Sequence, residues 1–438
     1  MYRNKGTITV FLSLISMLFL SLFCTMAESV RVQAARFQAA AAFDMGLFSI
    51  FGEYDRVLLE EYDLWFLDGS SEEQKIREVL ETKLEKYIQP NINPRYNLAA
   101  GRSWDVFPTE LDRCTVDKYA LATDHGGQVF YSQAVENQKE LFVGEAASAL
   151  KKNIKQMEEG HQKGEEYQNE EQKADEEYQR AQAAQMEEKK RQESEKENAE
   201  KQEESDTDIK ETEAVQAKVE NPLDQIKKIK SMGILGLVLK DGTVVSDKTI
   251  ERKDLPSERN LQKGSLLVDE ISADPVSEAI FLNYLQKHFQ CAVDEGGKHQ
   301  KGSKEHSLSY ELEYIIGGQK SDRENLKKTV NRILLIREGM NYATLAKSAK
   351  MRGEAMALAA AITGAAALPE FAGALQKLLM LAWAYGESLL DVRTLLAKGK
   401  VPMLKAETEW KLPLEKLGML AEVLKECDAG GGSGQSYE

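Results

Sequence analysis

The first 36 residues constrain this chain more than any other stretch. Met1 to Gly6 is a short basic leader with Arg3 and Lys5, Thr7 to Ala27 carries no charge, and Glu28, Arg31 and Arg36 follow closely. About 20 uncharged, mostly apolar residues at about 1.5 Å rise each match a hydrocarbon core of about 30 Å. Residues 7–27 therefore read as a helix embedded in a lipid bilayer. The basic leader favours a cytoplasmic amino terminus and an extracytoplasmic bulk, a bias weakened by Arg31 and Arg36 on the other flank. Two fates of the leader stay open. Retention as an anchor is favoured because the apolar run exceeds the roughly 7–15 residues of a secretory h-region. Cleavage after Ala27 is offered by the small residues around Thr25-Met26-Ala27. A lipoprotein reading fails, because Phe23 before Cys24 is too large.

The 438 residues suggest two to three domains at about 150 each. A formal net charge of −15 repels nucleic acid and anionic headgroups, so nucleic acid is not an expected partner. Cys24, Cys114, Cys291 and Cys427 are far apart and one lies in the apolar run, so the chain is not a disulfide framework. A single bridge among the other three stays open.

The fold class expected is helix-rich α+β: two small α+β units separated by a long charged arm. Val30, Ala34, Phe37, Ala41, Met45 and Phe48 recur at helical spacing, so the anchor predicts a stalk running to about Phe51. Residues 29–150 form the membrane-proximal unit: an extended stretch at Glu60–Asp68, a helix opening at Ser71 with Gln74 as its capping-box partner and ending near Ile88, and strands at Cys114–Ala122 and Gln128–Gln133. The turn Asp124-His125-Gly126-Gly127 between those strands has hairpin chemistry.

Residues 151–221 differ in kind. Within 151–220, 13 Lys and Arg stand against 22 Asp and Glu, and Met157, Ala174, Ala181, Ala184 and Met186 make no sustained heptad. Gly160 and Gly164 interrupt its start. The segment reads as a solvated helix or loose hairpin rather than a stable coiled coil, with a disordered linker as the alternative.

Residues 222–424 form the second unit. It reads as a hairpin over Ile234–Val245, a helix over Pro275–Ala292, a strand over Leu308–Tyr314 ended by Gly317-Gly318, and a long helix from Asp322 to about Ala349. Two alanine-rich helices, Ala355–Leu368 and Glu370–Leu396, then pack closely. They are not a membrane hairpin, since the first arm spans only about 21 Å and Lys377 interrupts the second. Residues 425–438 read as a flexible glycine-rich tail.

Signatures of chemistry are missing. No G-x-x-x-x-G-K-[ST] loop, no G-x-G-x-x-G after a strand and no G-x-S-x-G elbow occurs. His288, Cys291, His299 and His306 match no zinc spacing, so no metal or other cofactor is expected. Glu387 and Asp391 share a helix face with Arg393 nearby, which reads either as a carboxylate pair or, more simply, as a salt-bridged cap. Trp383, Tyr385 and Trp410 read as core. The chain is not expected to be an enzyme.

Several stretches carry a family likeness: Lys5-Gly6-Thr7-Ile8-Thr9-Val10-Phe11-Leu12, Glu28 to Arg36, Tyr62-Asp63-Leu64 with Leu67-Asp68, and Tyr310 to Ile315. Arg337 with Asn341, Trp383 through Glu387, Asp391-Val392-Arg393, Leu396 and Gly399-Lys400-Val401-Pro402 continue it, and Trp410 is grouped with these motif residues as structural. On these the chain resembles an uncharacterised group of Gram-positive membrane proteins, numbered 5702 among domains of unknown function, which is found with tight-adherence (Tad) pilus assembly components. The likeness covers both units and skips the charged middle. The leader is also similar to prepilin-type signals, which implies cleavage between Gly6 and Thr7. Such signals usually place Glu five residues after the cut, where this chain has Phe11.

The resemblance implies a single-pass envelope protein with a structural or assembly role in a Tad or type IV pilus-like or secretion machine, as a minor pseudopilin or accessory factor. Its partners would be other membrane-anchored subunits, with self-association a further expectation, and Ser13, Ser16 and Ser21 would permit close helix approach. A surface-anchored adhesin or sensor module is the alternative.

Overall fold

An uninterrupted helix, α1 (Lys5–Phe51), opens the chain in the computed structural model. The structure describes residues 5–69, 76–92, 96–97, 103–104, 109–139, 145–200, 221–240, 242–251, 253, 263–266, 274–293, 306–365, 371–427 and 432–437. Two compact units divide the chain: residues 1–141 with 256–273, and residues 142–255 with 274–438.

In the first unit, α1 needs no interruption because its 47 residues contain no proline and are dominated by Leu, Ala, Met and Phe. The hydroxyls of Ser13 and Ser21 turn back to the carbonyls of Val10 and Leu18, both at 2.9 Å, which satisfies them within their own helix. Beyond the apolar run, Ala42 and Ile50 of α1 pack on Leu84, Ile88 and Ile92 of α3 (Ile76–Ile92). The short helix α2 (Arg56–Tyr62) lies between them in sequence, capped by the Asp55 carboxylate, which accepts from the amides of Val57 and Leu58. The extended stretch after it pairs Leu67 with Tyr54. The expected capping residues Ser71 and Gln74 of α3 lie outside the described residues.

The α+β expectation is not met among the described residues. The regular strands there are one antiparallel pair of two residues each, β1 (Tyr96–Asn97) and β2 (Ser103–Trp104). The expected strand over Cys114–Ala122 has no regular structure. Its amides go instead to α3 side chains, Val116 to Glu81 at 2.9 Å and Cys114 to Glu85 at 3.4 Å. The expected strand over Gln128–Gln133 is helix α4 (Gln128–Lys139), and the hairpin turn before it is a 3₁₀ turn over Asp124–Gly126. A short apolar run suits either period. Asp124 ties this unit to its later segment by accepting from the amide of Gly264 at 3.0 Å.

The second unit begins with α5 (Glu145–Glu200), so the charged segment is helical as far as it is described; 201–220 lie outside. It is not a solvated arm in its first half. Tyr167 and Ala174 are buried in the core of this unit, and the Tyr167 hydroxyl donates to the carbonyl of Leu381 at 3.0 Å. The remaining helices are α6 (Pro222–Lys230), α7 (Ile234–Val238), α8 (Pro275–His288), α9 (Glu311–Gly317), α10 (Asp322–Lys347), α11 (Ala349–Ala365), α12 (Ala372–Leu396) and α13 (Leu420–Glu426). Two expected β elements are thus helical: α7 stands in place of the first hairpin strand, and α9 in place of Leu308–Tyr314. α12 is buried from Ala374 to Leu395 almost without a break, which makes it the axis on which α5, α10 and α11 pack.

The carboxy-terminal tail, expected to be flexible, is docked where it is described. Gln435 and Val401 exchange backbone hydrogen bonds at 2.8 and 2.9 Å, and the Tyr437 hydroxyl donates to the buried Glu313 carboxylate at 2.7 Å. Gly434 sits at φ 126° with Pro402 against its open side, a conformation and a gap closed to other residues.

Candidate functional site

Four of the residues singled out by sequence, Arg337, Asn341, Glu387 and Asp391, converge at one place, inside the second unit. One turn of α10 presents Arg337 and Asn341, and one turn of α12 presents Glu387, Ser388 and Asp391. Spacings of three and four residues put each set on one face of its helix. Between them enters Lys405, from the irregular segment after α12, a residue that no sequence pattern marks.

Arg337 donates from Nε and Nη2 to Asp391 Oδ2, at 3.0 and 2.7 Å. Its Nη1 donates to the carbonyls of Pro402 and Met403, at 2.9 and 3.0 Å. Asn341 Nδ2 donates to the same Asp391 oxygen at 3.0 Å and to Ser388 Oγ at 2.9 Å. Lys405 Nζ contacts both Glu387 Oε1 and Asp391 Oδ1. Glu387 also accepts from the amides of Lys411, at 3.0 and 3.2 Å, and Leu412, at 2.8 Å. The side chains of Glu387 and Asp391 are 0% exposed and that of Lys405 is 1% exposed.

Two cations and two carboxylates withdrawn this far from water each lose several kcal/mol of hydration, which is recovered only when every oxygen and N–H finds a partner. Nearly every polar atom here does. Burial pushes the Glu387 carboxyl up, and the neighbouring Asp391 adds to this against the pull of Lys405. Burial acts on Asp391 in the same sense, but Arg337 and Lys405 outweigh it and hold that carboxyl below its ordinary range. The two acids thus differ in protonation preference. Mechanically, the network fastens the irregular segment 402–412 to α10 and α12.

Trp383 and Trp410 wall this network. The Trp383 indole N–H donates to the Leu412 carbonyl at 2.6 Å. The two rings meet edge to face at 5.6 Å, and Lys405 Nζ lies 6.0 Å from the Trp410 centroid. Arg393 is not a member. It donates to the carbonyls of Leu237 and Leu239, at 3.2 and 2.9 Å, and closes the carboxy-terminal end of α7. Gly6 and Thr7, the residues of the proposed prepilin-type cut, stand at the start of α1, remote in sequence from this site.

Other buried polar groups also fasten non-helical segments. Asp322 accepts from Ser246 Oγ at 2.6 Å and from the amides of Ser309 and Tyr310 at 2.9 and 3.2 Å. Glu338 of α10 is buried facing Tyr167, Glu171, Lys230 and Tyr385, and burial pushes its carboxyl up to about 8. No sequence signal marks these, because a lone Asp or Glu on a helix is ordinarily solvated. Among the described residues no group of three or more His, Cys, Asp and Glu is placed to hold a metal. His306 Nδ1 is paired with Glu311 at 2.8 Å and His288 lies against the Tyr284 ring, while His299 is outside the described residues.

A family model described as "Family of unknown function (DUF5702)" matches residues 212–438, a little over half of the chain and all of the network just described. The leader and stalk stretches that carried part of the sequence resemblance lie before the match. No curated protein and no solved structure matches.

Proposed function

The chain belongs to the DUF5702 family of unknown function, and from that premise we propose that it is a single-pass, membrane-anchored structural component with its bulk outside the cytoplasm. Its role is assembly of a Tad or type IV pilus-like or secretion machine, as a minor pseudopilin-like or accessory subunit. The observation that carries this reading is α1. Its residues 6–51 are long and apolar enough to cross a membrane, and among the described residues none of its most apolar stretch is buried. Each large apolar side chain removed from water is worth about 1.5–3 kcal/mol, so a row of them left bare calls for lipid.

The helix also outlasts the bilayer. Forty-seven residues extend about 70 Å, against about 30 Å of hydrocarbon. Past the membrane, Val30, Phe37 and Phe48 stand along one side, seven and eleven residues apart, with Phe37 77% and Phe48 85% exposed. Such an apolar side supports contact with the anchors of neighbouring subunits. The ion network supports a structural role, since its charges are spent on holding a segment in place and are closed to solvent.

Alkaline carbonate extraction and protease shaving of whole cells test the anchoring. The protein is expected to stay with the membrane pellet and to lose its bulk to protease. Recovery in the supernatant, or a bulk spared by protease, would overturn the reading. Affinity purification from detergent tests the role: co-purifying membrane-anchored machine subunits support it, whereas binding of a wall or host ligand without them favours the adhesin or sensor alternative.

A further inference from the structure

We propose that Lys405 and Glu387 condense to an intramolecular amide, a covalent cross-link between α12 and the segment that follows it. The proposal rests on geometry and is independent of the anchoring reading. Amide formation between side chains needs a nucleophilic amine against a carboxyl group, a base beside the amine, donors for the oxygen that becomes negative, and exclusion of water. All four are present. Lys405 Nζ contacts Glu387 Oε1 and Asp391 Oδ1 at once. The Leu412 amide donates to Glu387 Oε2 at 2.8 Å, in the manner of an oxyanion hole, and the Lys411 amide is shared between Oε2 at 3.2 Å and Oε1 at 3.0 Å. Arg337 and Asn341 hold Asp391 by its far oxygen and act as positioning residues. Trp383 and Trp410 close the site.

The steps balance without any oxidant or co-reactant. Asp391 Oδ1 takes one proton from the Lys405 ammonium. The free amine attacks Cδ of the neutral Glu387 carboxyl, and charge develops on Oε2 beneath the two backbone N–H groups. A second proton passes from nitrogen to Oε1, which leaves as water, and the carbonyl reforms. The third proton stays on the amide nitrogen. The directions of the two carboxyl groups agree with these roles, since burial favours the neutral form of Glu387 while Arg337 and Lys405 favour the anion of Asp391.

In water such a bond is disfavoured by the solvent itself. Here the groups are held at an effective concentration that can reach about 10⁵–10⁸ M, and bulk water is absent. Condensation also removes a buried ion pair, and with it the hydration that two ions forfeit in the interior. The backbone donors of Lys411 and Leu412 keep an acceptor in the amide carbonyl.

Mass spectrometry of the full-length protein purified in detergent tests this. Trypsin is expected to release residues 378–393 joined to residues 401–411, one water lighter than the two peptides together, with no cleavage after Lys405. Separate linear peptides from the wild-type chain would overturn the proposal, and a link from Lys405 to Asp391 would overturn the pairing. The near-isosteric Asp391→Asn variant removes the base while keeping the shape. It is expected to give unlinked peptides, and full linkage in that variant would refute the role of Asp391.

Discussion

Gly164 of α5 and Gly339 of α10 bring two helix backbones into direct contact. A Cβ placed on Gly339 would lie 2.4 Å from the Gly164 nitrogen and 2.3 Å from the Lys163 carbonyl carbon, and one placed on Gly164 would lie 2.8 Å from the Leu335 carbonyl oxygen. Glycines that break a helix in isolation here set its closest crossing, and that crossing makes the charged helix part of the second unit.

Gly339→Ala is therefore expected to destabilise the second unit by about 1–3 kcal/mol, because backbone on the facing helix cannot rotate away as a side chain can. Gly353→Ala, on α11 with open space around it, is the control and is expected to be neutral or slightly stabilising. Denaturant unfolding of the two variants compares them directly. Equal stability would show that the helices do not cross here.

Arg337→Gln leaves Asp391 with Asn341 and Lys405 alone in a dry interior. The expected loss is about 3–5 kcal/mol, the range for breaking a buried pair from one side. The sign with pH follows from the lowered carboxyl of Asp391. Its contribution in the wild type is present above the unfolded value of about 3.9 and is lost as pH falls through the folded value. Acid titration of unfolding free energy is expected to show a wild-type lead that shrinks below about pH 4.

Glu338 acts in the opposite sense. Its folded value is raised to about 8 from 4.5, so between these the folded state keeps a proton that the unfolded state has released. Stability is lost as pH rises through that window. Glu338→Gln, a neutral isostere, is expected to match the wild type near pH 4 and to exceed it by on the order of 4 kcal/mol at pH 8. Thermal unfolding at the two pH values measures this, and a gap that does not change with pH would refute it.

Trp383→Phe keeps the ring against Trp410 but removes the donor to Leu412. Leaving that buried carbonyl unpaired is expected to cost about 1–3 kcal/mol. Proteolysis should show the loosening first in the segment after Lys405. Trp410→Phe deletes an indole N–H that has no hydrogen-bond partner among the described residues, so it is expected to cost less.

The helical stretches were legible in the sequence because their apolar spacing is local. The stalk ends at Phe51 as the pattern required, and the Asp322 helix runs to Lys347. Glu387 and Asp391 were also legible as a pair, since residues four apart share a helix face, whereas Arg337 and Asn341 were marked only by the family resemblance. The strands were misread where runs of only a few apolar residues fit either period, as at Gln128–Gln133 and Leu308–Tyr314.

Local chemistry alone settled the continuous apolar helix at the amino end and the long helices of the second unit, because hydrophobic spacing and the absence of proline act within a few residues. The tertiary structure alone decided that a charged helix joins a core through Tyr167 and two glycines, and that Lys405 is drawn between two carboxylates. Both depend on groups far apart in the chain, and the burial of a charge is fixed by the partners that surround it rather than by its neighbours in sequence.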